Sequence, residues 1–160
     1  MAKTDSAGSF KVISENRKAR FNYHILEVFE AGMVLTGAEV KSARNGGARL
    51  NGAYVMFRRE EAFLVGAHVG AYKPAANLEY DPGRARKLLL TKRELSTLRG
   101  VLEQDGMNLV PLELVAQGNY LKLVLAIGKG KKLFEKKQAK KERDIMREAS
   151  RSIKQRLRHR

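Results

Sequence analysis

The sequence predicts a mainly β fold, an OB-type antiparallel β-barrel with short helices, followed by a basic, disordered-to-helical C-terminal tail. Three observations lead there: apolar residues alternating with period two in several short segments, helix-capping signals between them, and a charge balance that changes abruptly after Gly128. An open α+β sheet is the competing architecture.

His24 to Leu35 reads as the first long strand, with Gly32 expected to mark a bulge or bend. Thr36-Gly37-Ala38-Glu39 is a capping box, so Val40 to Arg44 should be helical until Asn45-Gly46-Gly47 ends the turn. Tyr54 to Phe57 and Ala62 to Val65 flank Arg58-Arg59-Glu60-Glu61 as a hairpin. Asp81-Pro82 offers an N-cap and a proline at the first helical position, which predicts a helix over 84–89. Thr91-Lys92-Arg93-Glu94 is a second capping box; Leu95, Leu98 and Leu102 then share one face, and Gly106 is the stop. Met107 to Val115 is another strand, in which Pro111 suggests an edge or a bulge. Gln117-Gly118-Asn119 turns the chain into Asn119 to Ile127, where Leu121, Leu123, Leu125 and Ile127 lie on one face. Phe29, Tyr54, Phe57 and Phe63 sit among Leu, Val and Met, so they are expected in the core.

Charge separates two parts. Residues 129–160 carry 14 Lys/Arg and 4 Asp/Glu, whereas residues 1–128 carry 18 and 13. The organisation is therefore read as a flexible N-terminus over 1–10, a domain over 11–128 and a basic tail over 129–160. Gly128-Lys129-Gly130-Lys131-Lys132 looks like a flexible exit. Beyond it Ile145, Ala149, Ile153 and Leu157 recur every fourth residue among Lys and Arg. Such a segment should be disordered alone and form a helix with a thin apolar stripe when laid on a polyphosphate.

A net charge of +15 favours a polyanionic partner, nucleic acid ahead of an anionic membrane. No cysteine is present, which excludes disulfides and thiolate metal sites and fits a reducing compartment. The N-terminus shows no apolar signal region and no stretch is long enough to span a membrane, so a cytoplasmic location is expected. His24, His68 and His159 are far apart and lack carboxylates at ligand spacing, so no metal is expected. Gly32 to Gly37 superficially suggests a phosphate loop, but Ala38-Glu39 replaces the Lys-Ser/Thr such a loop requires. Glu27, Glu30 and Glu39 read as surface carboxylates. No cofactor and no catalytic residue are expected, and structured RNA is favoured over a specific base sequence because exposed aromatics are scarce.

Particular strings now matter. Asn16-Arg17-Lys18-Ala19-Arg20-Phe21-Asn22-Tyr23, Phe29 through Ser42, Asp81-Pro82-x-Arg84-x-Arg86-Lys87-Leu88-Leu89-Leu90 and Lys129-Gly130-Lys131-Lys132 together resemble the SsrA-binding protein (SmpB) family. The resemblance covers residues from about 10 to 140. It implies an OB-type barrel that binds the tRNA-like half of transfer-messenger RNA, and a tail that engages the ribosome at its decoding site and empty mRNA channel. Alanyl-tRNA synthetase and elongation factor Tu would be indirect partners, doing the chemistry on that RNA while this chain positions it. Carried over position by position, Arg17, Lys18, Arg20, Tyr23 and Glu30 fall in one RNA-facing segment. Lys87, Leu89, Thr91 and Lys92 fall in a second. Gly130, Lys131, Lys132, Lys136 and Lys137 match the ribosome-facing root of the tail, and Ile145 and Ile153 would supply its apolar face. Two positions depart from the family pattern: Glu135-Lys136-Lys137 stands for a common Asp-Lys-Arg, and Ile145 stands where many members carry Trp.

Overall fold

A computed structural model describes residues 10–75 and 79–158. The expected flexible N-terminus, apart from Phe10, and His159 lie outside the described residues. Among the described residues, nine strands and four α-helices follow in the order β1 (Phe10–Glu15), α1 (Arg17–Asn22), β2 (Tyr23–Met33), α2 (Gly37–Ser42), β3 (Ala48–Arg49), β4 (Tyr54–Arg58), β5 (Glu61–Val65), β6 (His68–Val69), β7 (Arg86–Leu89), α3 (Lys92–Leu102), β8 (Met107–Gln117), β9 (Tyr120–Gly130) and α4 (Leu133–Arg158). Seven strands form one sheet in the order β1-β8-β9-β2-β7-β5-β4, with every neighbour antiparallel. The sheet curls until β4 faces β8, yet no ladder joins them among the described residues, so the OB-like barrel stays open along that seam. β3 and β6 make a separate small ladder.

The alternation in β9 decides where the core lies. Leu121, Leu123, Leu125 and Ile127 all point inward and are buried with Leu109 and Leu114 of β8, Leu64 of β5, Leu88 of β7 and Leu98 of α3. Burying four such side chains from one strand contributes roughly 6–12 kcal/mol before entropy is charged against it. A smaller cluster forms on the outside of the same sheet. There Ala19 of α1 covers Val110, Leu112 and Ala126, with Tyr23 and Ile25 at its margin.

Both capping boxes form as expected: Thr36 accepts from the Glu39 amide, Thr91 from that of Glu94, and each Glu returns to its cap's backbone N–H. Gly46 ends the turn after α2 with φ of 84°, as the Asn-Gly-Gly run suggested. Gly47 is constrained differently. A β-carbon there would lie 2.3 Å from the Ser42 hydroxyl oxygen and 2.9 Å from its carbonyl oxygen. That hydroxyl donates to the Gly70 carbonyl at 2.6 Å, and the Gly70 amide donates back to Gly47 at 2.9 Å. Gly47→Ala is therefore expected to destabilise the domain by about 1–3 kcal/mol, read as a lowered thermal midpoint; an unchanged midpoint would contradict the contact.

Several expectations need correction. Residues 84–89 are not helical: Asp81 accepts from the Gly83 amide and caps a turn, after which Arg86–Leu89 is a strand. Asp-Pro serves either purpose, and the alternation of buried Arg86 and Leu88 with outward Lys87 and Leu89 is what the sheet selects. The bulge in β2 falls between Ile25 and Glu27, not at Gly32. Gly32 pairs with both Leu89 and Lys122, and a β-carbon there would come within 3.3 Å of the Leu89 β-carbon. Pro111 does sit at a bulge, between Pro111 and Glu113, in a strand flanked on both sides. Its missing N–H is not needed, because β1 pairs only as far as Glu113. Tyr54 is not in the core but 50% exposed. Glu39 is no surface carboxylate; it is fully buried. Helix α1, not anticipated, is capped by the Asn16 side chain accepting from the Ala19 amide.

The exit from the domain also differs. Gly128 to Gly130 continue β9 against β2, and the Lys131 amide donates to the Asn22 carbonyl at 2.9 Å. Two residues later α4 begins, its first free amide at Lys132 held by the Glu135 carboxylate at 2.7 Å. α4 is one 26-residue helix with no buried residue. It touches the domain near its root, through Glu135 to His24 at 3.3 Å and the Arg143 guanidinium over Phe21 at 5.4 Å.

A candidate nucleic-acid interface

β2 carries one group of candidate residues at each end. From Tyr23 to Glu30 the strand rises roughly 20 Å, so the two groups stand well apart on a rigid element. At the first end, α1 presents Arg17, Lys18 and Arg20 outward while Ala19 anchors the helix. Arg17 meets Glu15, and Arg20 meets Glu113, each at 3.3 Å. Tyr23 lies over Gly128, where a β-carbon would come within 3.0 Å of it. The root of the tail joins this group: Gly130 pairs with Tyr23, and the Lys131 ammonium reaches the Arg20 carbonyl at 3.4 Å.

The second group surrounds a cleft of about 680 Å³ whose lining includes Glu30, Lys87, Leu89, Thr91, Lys122 and Glu61. Lys87 pairs with Glu61 at 2.5 Å and Lys122 with Glu30 at 3.5 Å, both at the surface. Exposed pairs contribute only about 0–1 kcal/mol, so either lysine can turn to a phosphate at little cost. Leu89 is 53% exposed, whereas Leu88 is 2% exposed and Leu90 is packed against the core. One leucine of three is therefore available to a ligand. Thr91 is engaged in its own cap, with its hydroxyl 2.8 Å from the Glu94 carboxylate. Lys92, the first residue of α3, stands beside a neighbouring cleft with Phe57 and Arg99.

What holds β7 in place is a buried charge cluster. Glu39 takes Arg84 through two bonds, at 2.7 and 2.6 Å, and Arg86 at 3.1 and 3.3 Å. The Arg86 side chain is wholly buried and also donates to the carbonyls of Ala67, Pro82 and Arg84 and to the Tyr80 hydroxyl. Burial alone would raise the Glu39 pKa, but hydrogen bonds from Arg84 and the Thr36 amide and the charge of Arg86 outweigh it, so the carboxyl stays below its ordinary value of 4.5. Arg86 thus fixes the inward side of the strand whose outward side carries Lys87 and Leu89.

Sequence reasoning missed Lys122 and Glu61. Lys122 faces outward by the same period that buries Leu121 and Leu123, but its placement beside Glu30 depends on the β2–β9 register. Of the tail candidates, Gly130 to Lys132 join the first group, while Lys136, Lys137, Ile145 and Ile153 lie along α4; Ile145 and Ile153 are exposed. Among the described residues no helix is long and apolar enough to cross a membrane, and no group of three His, Asp or Glu is placed to hold a metal ion.

Comparison with known proteins identifies the family and the fold. The family model for the SmpB protein matches residues 13–155. An SsrA-binding protein of Trichodesmium erythraeum (strain IMS101) is 44% identical over 156 residues, covering 97% of this chain and 99% of the relative. That of Afipia carboxidovorans is 48% identical over 152 residues, covering 94% and 96%. A solved structure described as "tmRNA-SmpB: a journey to the center of the bacterial ribosome" superposes with a TM-score of 0.63 at 42% identity, covering 74% of this chain and 84% of that one. With identity of this level along nearly the whole length, and an open barrel carrying a basic helix, the chain belongs to the SmpB family of SsrA-binding proteins.

Proposed function

We propose that this protein binds the tRNA-like half of transfer-messenger RNA with its barrel and carries that RNA to stalled ribosomes for trans-translation, its tail engaging the decoding site and the empty mRNA channel. The observation that carries the division of labour is the placement of charge. Two groups flank the ends of β2 on the body, while α4 extends from the first of them with no residue buried. Backbone contacts of the body read shape, for which the cations of α1 and Lys87 suit phosphate and Glu30 suits a base edge or a 2′-hydroxyl. Aminoacylation and delivery chemistry fall, on this reading, to alanyl-tRNA synthetase and elongation factor Tu.

The test is binding to the tRNA-like half of transfer-messenger RNA, against tRNA and random duplex, at physiological salt. A clear preference for the first supports the reading, and equal binding to all three overturns it. Salt must be fixed, because six phosphate contacts alone would weaken binding about a thousandfold between 50 and 200 mM. Within that assay Lys87→Ala is expected to lower the slope of log affinity against log salt by about one. An unchanged slope would leave Lys87 a partner of Glu61 only.

A further inference from the structure

The seam of the open barrel contains a second cleft, of about 430 Å³, between α1, the start of β4 and the first half of β8. It exists because β1 pairs with β8 only as far as Glu113, leaving the stretch around Asn108 without a strand neighbour on that side. Lys18, Asn22, Tyr54 and Asn108 reach its lining, over a floor that includes Val55 and Leu109. These four polar side chains have no hydrogen-bond or ion-pair partner among the described residues. Two polar groups near it are engaged elsewhere: Asn16 binds Pro111 and Ala19, and Arg20 binds Glu113. Tyr54 is also half exposed at a place where its neighbours Ala53 and Val55 are buried.

We propose that this cleft receives one unpaired nucleobase of the bound RNA. The base stacks on the Tyr54 ring, the carboxamides of Asn22 and Asn108 meet its polar edge, and Lys18 takes the attached phosphate. Chemistry favours this ligand over a purely apolar one. A carboxamide offers donor and acceptor together, as a base edge does, and an aromatic face with a flanking cation suits a planar, phosphate-bearing group. Single bases splayed from loops are the part of RNA that a protein reads directly, so the cleft would add selectivity to a body otherwise reading backbone. The inference rests on the reading that the α1 end of the barrel faces RNA.

Two measurements test it separately from that reading. In the free protein, each of the four nucleoside 5′-monophosphates is titrated while NMR follows the side-chain amides of Asn22 and Asn108 and the ring of Tyr54. At least one monophosphate should move these resonances; if none does, the proposal fails whatever RNA the protein binds. With the tRNA-like half of transfer-messenger RNA, Tyr54→Ala should weaken binding roughly tenfold or more, as for loss of one stacked base, and Asn108→Ala should weaken it roughly fivefold. Tyr54→Phe keeps the ring and should stay within about twofold of the parent. Because Tyr54 is uncharged, the salt slope should not change, whereas Lys18→Ala should lower it by about one. Tyr54→Ala binding as tightly as the parent overturns the proposal. Should the parent show no preference for this RNA while monophosphates still move the cleft resonances, only the choice of RNA fails.

Discussion

Ending the chain after Gly130 is expected to leave selective RNA binding within roughly a few fold of the full chain at physiological salt, while abolishing peptide tagging of stalled ribosomes. The reason is the lack of shared structure. α4 buries no residue, so its removal takes little from the core, and the strand partners of β9 are complete at Gly130. What the domain loses is two Lys131 bonds, from its amide to Asn22 and from its ammonium to Arg20, the Glu135 contact to His24 and the Arg143 contact to Phe21. Each is exposed or near the surface, worth about 1 kcal/mol or less. Total affinity at low salt should drop more, because the removed residues 131–160 carry 13 Lys/Arg against 4 Asp/Glu, a net of +9 that attracts any polyanion. Selectivity between the tRNA-like half and random duplex is thus the quantity to compare. Replacing Ile145 and Ile153 together by Asp in the full chain should reduce tagging while RNA affinity stays near that of the parent. Full tagging by the shortened chain would sink the proposed division between body and tail.

Glu39→Ala is expected to cost about 3–5 kcal/mol, a large share of the stability of a domain this size. The variant leaves the Arg86 guanidinium in a site without solvent and without a counter-charge, and it also releases Arg84. Urea unfolding of variant and parent measures the loss; a change under 1 kcal/mol would show that the carbonyls around Arg86 suffice. Adding Arg86→Met to Glu39→Ala should recover part of the loss, since removing both charges avoids the unpaired one. The same group predicts the acid limb of stability. A carboxyl whose folded pKa lies below its unfolded value stabilises fully above the unfolded value, here near 4.5. That stabilisation disappears as pH falls through the lower, folded value. The parent should therefore lose stability below about pH 4.5 more steeply than Glu39→Ala. Function should follow, because Arg86 holds β7 and β7 presents Lys87 and Leu89 to the cleft beside Glu30. A folded Glu39→Ala protein should bind RNA more weakly without any change in the salt slope at Lys87.

Much of the fold was legible because it rests on local rules. Alternation in Leu121 to Ile127 needs only the two-residue period of a strand, and the boxes at Thr36 and Thr91 need only a side chain reaching its own first turn. The charge step after Gly128 and the strings around Arg17, Glu30 and Lys87 pointed to nucleic acid and to the SmpB family without any coordinates. Residue type and spacing were sufficient there.

Tertiary structure decided what depends on pairing between distant segments. Nothing in Thr36-Gly37-Ala38-Glu39 says that its carboxylate also neutralises two arginines some 45 residues away, one of them on a strand where a helix was expected. Register set Lys122 beside Glu30 and brought Gly130 to Tyr23, placing the root of the tail among the cations of α1. Tyr54 sits among Val and Met like a core aromatic, but β4 turns Val55 inward and Tyr54 outward, beside the seam where β4 does not pair with β8. A sequence states which side chains a strand presents to each face, but the free energy that picks its neighbours is summed over the whole sheet.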